Sequence, residues 1–406
     1  MKNTVTVNLF FILLLMLPVS LSASDFGLVV NSNCGYDNAF TKDNTFNYKV
    51  DILPRFSTLV GGNGEFVLSA GFSIANEEGF FYIPEILRTE FNIRFGSSGV
   101  RIGRFNFSDP SSFVVSGLFD GIQYYQNSNG GSFRIGAWYT GFLYKKRANI
   151  LMTDNDEAAF LKPFEYGDFF DAYFASRRVI SSVEWEHPSI GEFLRLNTAY
   201  VGQTDLNKAD TKYHSQYLIV KAGIPIDNLL MEFGGVAEFS RTVTAKESEF
   251  NMAFAGDIGL FLLFPSEFNS RLSFKGIIAG GRIRDFTEAF NPITAHEYGY
   301  ILKAKLSGLS IFSLDYSAKF NNFFSGSVTA SYFVRNDLGT FHGYPLTKNS
   351  VEYFLGPEAA AQIIWSPASD LHFKFGGGAF FPLLGDLFSE EKIKGRFDFT
   401  VILSIL

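Results

Sequence analysis

The sequence predicts an all-β chain, a transmembrane antiparallel up-and-down β-barrel, on three observations. Segments of about ten residues alternate apolar and polar side chains, their connections sort into short turns and long loops, and aromatic residues are in large excess. Of 406 residues, 48 are Phe, 18 Tyr and 3 Trp, together 17%. Charged residues make up 18%, below the roughly 25% of soluble domains. So apolar a chain is not a disordered one, and its single Cys, Cys34, excludes a disulfide scaffold.

At the start, Lys2 precedes an apolar run over 9–17, Pro18 and the small residues of 20–24. A charged start, a short apolar centre and small residues describe an export signal over 1–23, cleaved after Ala23, because the run is too short to cross a bilayer as a helix. Residues 24–406 then form one barrel domain, and loss of Lys2 takes the formal charge from −7 to −8. Nowhere in that domain are there 18 consecutive apolar residues, so a membrane crossing has to be made by strands.

Alternation is clearest in 87–95, where Leu87, Phe91, Ile93 and Phe95 stand against Arg88, Glu90, Asn92 and Arg94. It returns at Phe250, Met252, Phe254, Ile258, Leu260, Leu262 and Phe264, then at Tyr298, Tyr300, Leu302, Ala304 and Leu306, and finally at Phe397, Phe399, Val401, Leu403 and Ile405. Short connections fall at 61–64, 96–99, 127–131, 187–191, 225–228, 265–267, 307–309 and 366–370. Long ones fall near 33–45, 76–84, 107–118, 146–172, 203–211, 242–248, 283–293, 336–350 and 382–395. Sorting of this kind is that of an outer-membrane barrel, with short turns facing the periplasm and long loops outside.

Read in order, the strands lie near 25–32, 46–60, 65–75, 85–95, 100–106, 119–127, 132–145, 173–186, 192–202, 212–222, 229–241, 249–264, 270–282, 294–306, 310–335, 351–365, 371–381 and 396–406. That makes eighteen, or sixteen if the weak first strand or the short fifth one fails. Segment 310–335 is kept whole despite Asn321-Asn322, because its apolar face stays on even positions from Phe312 to Val334 and bacterial barrels favour even strand numbers. Barrels of this size enclose an aqueous channel, and the map leaves almost nothing for a plug. Phe would then fill the lipid-facing band, with Tyr and Trp at its two borders.

Inward positions would line the pore. Arg88, Glu90 and Arg94 share a face that Arg101 continues, and later inward positions include Arg134, Arg195, Arg271, Lys275, Lys303 and Lys305, balanced by Glu184, Glu186, Glu232, Glu238 and Asp257. Cations on one wall with carboxylates on another would bias the pore towards polar, anionic solutes, although any water-filled barrel carries lumen charges. Ser313, Ser317, Ser325, Ser327, Thr329 and Ser331 form a hydroxyl stripe suited to sugars or to water.

Residues 100–122 carry Val100-Arg101-Ile102-Gly103-Arg104-Phe105, Ser108-Asp109-Pro110-Ser111-Ser112-Phe113 and Gly117-Leu118-Phe119-Asp120-Gly121-Ile122. This stretch resembles the strand–loop–strand element of bacterial porin-like and alginate-export-like outer-membrane channels. The resemblance implies that loop 107–118 folds inward and narrows the pore, with Arg101, Arg104, Asp109 and Asp120 at the constriction. The chain ends Ser404-Ile405-Leu406, where porins usually end in Phe.

No enzyme motif stands out: none of the five His sits beside a Ser or Asp in a recognisable arrangement. No cofactor is expected, and metal sites lack His/Cys clusters. Asp154-Asn155-Asp156-Glu157 lacks the spacing of a calcium loop and reads as a solvated surface loop, with Arg177-Arg178 at lipid head groups or the pore mouth. The leading expectation is a passive outer-membrane channel of a diderm bacterium for small polar solutes. The alternatives are a fatty-acid-type transporter of hydrophobic substrates, which requires an N-terminal plug, and an adhesin that binds through its long loops. Implied partners are outer-membrane lipid, small polar solutes, the barrel-assembly machinery acting on strand 396–406 and, as one option, two further copies in a homotrimer; nucleic acid is not among them.

Overall fold

Strands alternating with turns build a single closed wall in the computed structural model, which describes residues 24–38, 45–76, 81–265, 268–282, 288–337, 352–384, 388 and 392–405. The expected export signal, 1–23, lies outside the described residues. The wall strands are β1 (Ser24–Asp37), β2 (Thr45–Val60), β3 (Gly64–Ala75), β4 (Phe81–Phe95), β5 (Ser98–Ser108), β6 (Ser116–Ser128), β7 (Gly131–Tyr139), β8 (Arg178–Ile190), β9 (Leu194–Asp205), β10 (Lys212–Ile226), β11 (Leu229–Val243), β12 (Ser248–Phe264) and β13 (Ser270–Ala279). After a minimal hairpin of β14 (Glu297–Tyr298) and β15 (Ala304–Lys305), the wall resumes with β16 (Leu309–Lys319), β17 (Phe324–Arg335), β18 (Phe354–Ala368), β19 (Leu371–Phe380) and β20 (Lys394–Ile405). Every pairing is antiparallel, and the sheet has 18 strands. It closes where β1 meets β20, from Leu28 opposite Ile405 to Asp37 opposite Arg396.

Directly opposed residues of antiparallel neighbours share a face, so the registers carry one face around the whole barrel. The outer face is the apolar one, with Phe26, Phe254, Leu314, Val328, Ile363 and Phe397 all exposed. Closure joins the first wall strand to the last, and along the ladders the paired backbone groups are satisfied where lipid could not satisfy them. The connections sort by end. Among the described residues, turns 61–63, 96–97, 129–130, 191–193, 227–228, 320–323 and 369–370 lie at one end, and the longer connections 109–115, 140–177 and 206–211 lie at the other. The tight two-residue turn 96–97 depends on Gly96 at φ 61°, in the left-handed region that glycine occupies without strain.

The total of eighteen agrees with the expectation, but two of the assigned strands do not. Segment 294–306 is no wall strand: it lies within loop 280–308 and holds only the β14–β15 hairpin. Segment 310–335 is two strands, β16 and β17, joined by turn 320–323. The parity argument missed this because the pairing sets Leu314 opposite Ala330 and Phe312 opposite Tyr332, so an even-length turn returns the chain with even positions still facing out. The expected turn 307–309 is instead the end of the long loop, where Gly308 has φ 58°.

The interior is the second departure. Residues of loops 109–115, 140–177 and 280–308 form one buried apolar cluster with inward wall residues, including Val114, Met152, Phe290, Ile293, Leu302 and Phe333. The long-loop half of the barrel therefore contains a packed core, not open water. Counting 294–306 as wall had hidden the residues that supply it.

Candidate functional site

Residues 288–308 of loop 280–308 cross the lumen and are held at two points, Asn291 and 300–302, by buried wall carboxylates. On β11, Glu238 accepts from the Asn291 backbone N–H at 2.8 Å and from the Tyr213 hydroxyl at 2.7 Å, while Tyr217 donates to the Asn291 carbonyl at 2.6 Å. On β18, Glu358 accepts from the backbone N–H groups of Tyr300, Ile301 and Leu302 at 2.5–2.9 Å. Between these anchors the loop bonds to its neighbours: Ile293 N–H to the Val114 carbonyl at 2.8 Å, Ala295 N–H to the Asn149 carbonyl at 2.8 Å, and the Asn291 side chain to the Met152 carbonyl at 2.9 Å. Burying so much backbone is tolerable because each of these polar groups is paired.

Loop 109–115 is organised by Asp109, which accepts from the N–H groups of Ser111, Ser112, Val114 and Val115 at 2.8–3.1 Å. Burial pushes its carboxyl upward, against the opposing pull of these hydrogen bonds. Next to the loop, Phe105, Phe107, Phe119 and Trp138 fill the lumen, with the Phe107 and Trp138 rings stacked at 3.9 Å. A Cβ at Gly136 would stand 2.4 Å from the indole, so that glycine makes room for it.

The expected pore residues divide. Arg88, Glu90, Arg94, Arg101 and Arg134 do point inward: Glu90 is shared by Arg88 at 2.5 Å and Arg101 at 3.3 Å, Arg94 lies 3.9 Å from Glu65, and Arg134 contacts Glu184 at 3.6 Å and Glu186 at 3.0 Å. Arg104 and Asp120 do not. They oppose each other on β5 and β6, two register steps from the Ile102–Ile122 pair and so on the same face, the outer one, where Ile102 and Ile122 are 44% and 49% exposed. An arginine three positions from inward Arg101 faces the other way in an unbroken strand. The two form a bidentate pair at 2.9 and 2.7 Å on the outer side of the wall. Asp109 is a loop brace, while Lys303 and Lys305 sit in loop 280–308 and not on a wall strand, Lys305 lying 3.7 Å from Glu157.

Loop 140–177 also departs from expectation. Asp154–Leu161 is a helix with a capping box between Thr153 and Asp156. Asp156 is buried with Arg178, which bonds it at 2.5 Å and Asp205 at 3.4 Å, all three side chains being at most 1% exposed. Arg178 is therefore not at a head-group surface, and the acidic stretch divides: Asp154 and Asn155 are exposed as expected, while Asp156 is buried. No sequence signal set Glu238 apart from the other inward carboxylates or singled out Glu358, and the expected head-group or pore-mouth place of Arg178 gave no hint of its buried pairing. The signal that was available is aromatic density in the interval 138–174, too high for a solvated loop.

Toward the short-turn end the lumen stays open. A cavity of about 350 Å³ is lined by Glu186, Arg195, Asn197, Lys221 and Glu232, and it adjoins a smaller one lined by Arg134, Glu184 and Ser108. Residues 24–37, where a fatty-acid-type transporter would need its plug, are wall strand β1.

No family model matches the chain, and no curated relative does. Solved structures do. The chain is similar to Pseudomonas aeruginosa OccK2 (OpdF), solved in complex with glucuronate, with a TM-score of 0.61 at 13% identity over 95% of this chain and 99% of that one. A BenF-like porin from Pseudomonas fluorescens Pf-5 gives 0.61 at 10% identity over 95% and 99%. The outer membrane protein opdK from P. aeruginosa gives 0.60 at 10% identity over the same shares. At these identities the likeness establishes a shared fold, that of outer-membrane porins. With its apolar outer band, the chain is an outer-membrane barrel.

Proposed function

We propose that this barrel passes small polar solutes, anions in preference, by diffusion through a lumen that its inward loops narrow. The observation that carries the reading is the contrast between the two halves: a charged open cavity at the short-turn end leads to a constriction whose packed residues are Val114 of loop 109–115, Ile150 and Met152 of loop 140–177, and Phe290, Ile293 and Leu302 of loop 280–308, apart from the aromatic cluster of Phe164 and Tyr173. Arg88, Arg94 and Arg101 on one wall, with Arg195 in the cavity, attract anions, and a negative solute gains most where low-dielectric walls focus the field. The glucuronate bound by OccK2 is a carboxylate of the kind such a wall would take. The outer face of β20, from Phe397 to Ile405, is the surface that the barrel-assembly machinery would engage.

The purified barrel in planar bilayers should conduct, with a reversal potential on the anion-selective side in a salt gradient. Replacing Arg88, Arg94 and Arg101 with Ser should move that potential towards the cation side. A refolded barrel without conductance would sink the channel reading, and an unmoved potential would remove these arginines from the selectivity path.

A further inference from the structure

Both β4 and β5 continue past the point where their ladder stops. Pairing runs from Phe95–Ser98 to Thr89–Arg104, yet β4 extends to Phe81 and β5 to Ser108. Above that point each strand is paired only on its far side, β4 to β3 and β5 to β6, so two strand edges face each other across a wedge in the wall. Two local devices part the strands at one height. A bulge in β4 shifts register between Ser69 and Ala70 and leaves Leu87 unpaired, and Gly103 on β5 has φ 111°, with a backbone approach so close that a Cβ would lie 1.8 Å from the Thr89 carbonyl.

Side chains close the wedge where a ladder would otherwise run. Arg104 donates to the Ile86 carbonyl at 2.6 Å and to the Phe142 carbonyl at 3.1 Å, held by Asp120. Higher up, the Tyr173 hydroxyl donates to the Pro84 carbonyl at 3.1 Å, and Arg147 pairs with Glu85 at 3.1 Å. Behind them an aromatic cluster of Tyr144, Phe164, Phe169, Tyr173 and Phe174 packs against Ile83. The outer lip is apolar and exposed at Ile86, Ile102 and Phe142, while Phe170 and Tyr166 stand exposed on the loop. On the inner side, Arg88 and Arg101 have side chains 37% exposed to the lumen.

Unpaired backbone at membrane depth persists only where protein lines it, and a seam closed by a few side-chain bonds opens more readily than one closed by a continuous ladder. Water lies on one side, lipid on the other, and between them is a door of aromatic rings. We propose that the β4–β5 seam is a side portal through which apolar or amphipathic small molecules pass between the lumen and the bilayer, with segment 164–174 as the door and Arg104 as its bolt.

The test compares two rates for the same barrel, with N-phenyl-1-naphthylamine as the apolar probe and arabinose as the polar one. Uptake of the first is followed by fluorescence in diderm cells expressing the barrel, and entry of the second by swelling of liposomes holding it. Tyr173→Phe removes only the bond to the Pro84 carbonyl and should speed apolar uptake about fivefold, the equivalent of one neutral hydrogen bond, with swelling unchanged. In a Cys34→Ser background, Glu85→Cys with Arg147→Cys joined by a bis-maleimide should stop apolar uptake and leave swelling intact. Apolar uptake indifferent to both changes, or swelling that rises and falls with it, overturns the portal. A barrel that takes up the apolar probe but never swells in arabinose instead removes the polar-channel reading and leaves the portal standing.

Discussion

Arg101 and Arg104 lie in the same short stretch of sequence and do opposite things, because a strand turns successive side chains to opposite faces and three positions is an odd number. One faces the lumen with Glu90, and the other bolts the outside of the wall. His296 has a comparable dependence on place. Burial within loop 280–308 holds its imidazole below the ordinary range, with Asp109 opposing the shift. The docked loop therefore favours the neutral ring: the stability tied to it is complete above the ordinary histidine value and is lost as pH falls through that value towards the lowered one. Acidification from about pH 7.5 to 5 should loosen the loop and raise single-channel conductance. His296→Asn should flatten that dependence, and a wild-type conductance indifferent to pH would contradict the coupling.

Loop 280–308 is the element on which the site depends, and its grip on β18 is one carboxylate accepting three consecutive backbone N–H groups. Glu358→Gln keeps the shape but offers a single amide oxygen to those donors. It should weaken loop docking by about 1–3 kcal/mol, visible as larger and noisier single-channel currents, while heat-modified gel mobility shows the wall still folded. Quiet currents of wild-type size would mean that the anchor lies elsewhere. This element was the least legible in the sequence. Tyr298, Tyr300, Leu302, Ala304 and Leu306 alternate as a wall strand does, yet Ile301, Leu302, Ala304 and Leu306 are all buried. A loop packed inside a barrel has apolar neighbours all round, so its side chains lose the contrast between lipid and water that makes true strands readable. Where that contrast exists, from 87–95 to 397–405, the alternation did locate wall strands. The hairpin at 320–323 stayed hidden for a different reason, since an even-length turn leaves no trace in parity.

For the molecule as a whole, that contrast is what the wall is made of. Val328 and Ser327 are neighbours in sequence, but the first faces lipid and the second the lumen, opposite Ser317 and Gln362. Val328→Arg should destabilise the barrel by about 2–4 kcal/mol when folded into lipid vesicles, the range for a cation near mid-bilayer, whereas Ser327→Arg should leave stability nearly unchanged and alter conductance. Equal losses at both positions would mean that the wall is turned the wrong way round.

The ladder between β1 and β20 has a consequence in time. It joins residues from opposite ends of the chain, and the Asn33 side chain meets the Thr400 hydroxyl at 2.7 Å across a sequence separation of 367. Closing so long a span is entropically expensive and is rewarded only when the last strand arrives. Until then both edge strands present open hydrogen-bonding groups that neither lipid nor water-free packing can satisfy. A half-inserted barrel is therefore a poor intermediate, and insertion and closure should be seen as one slow, concerted step whose rate is set by the meeting of the first and last strands.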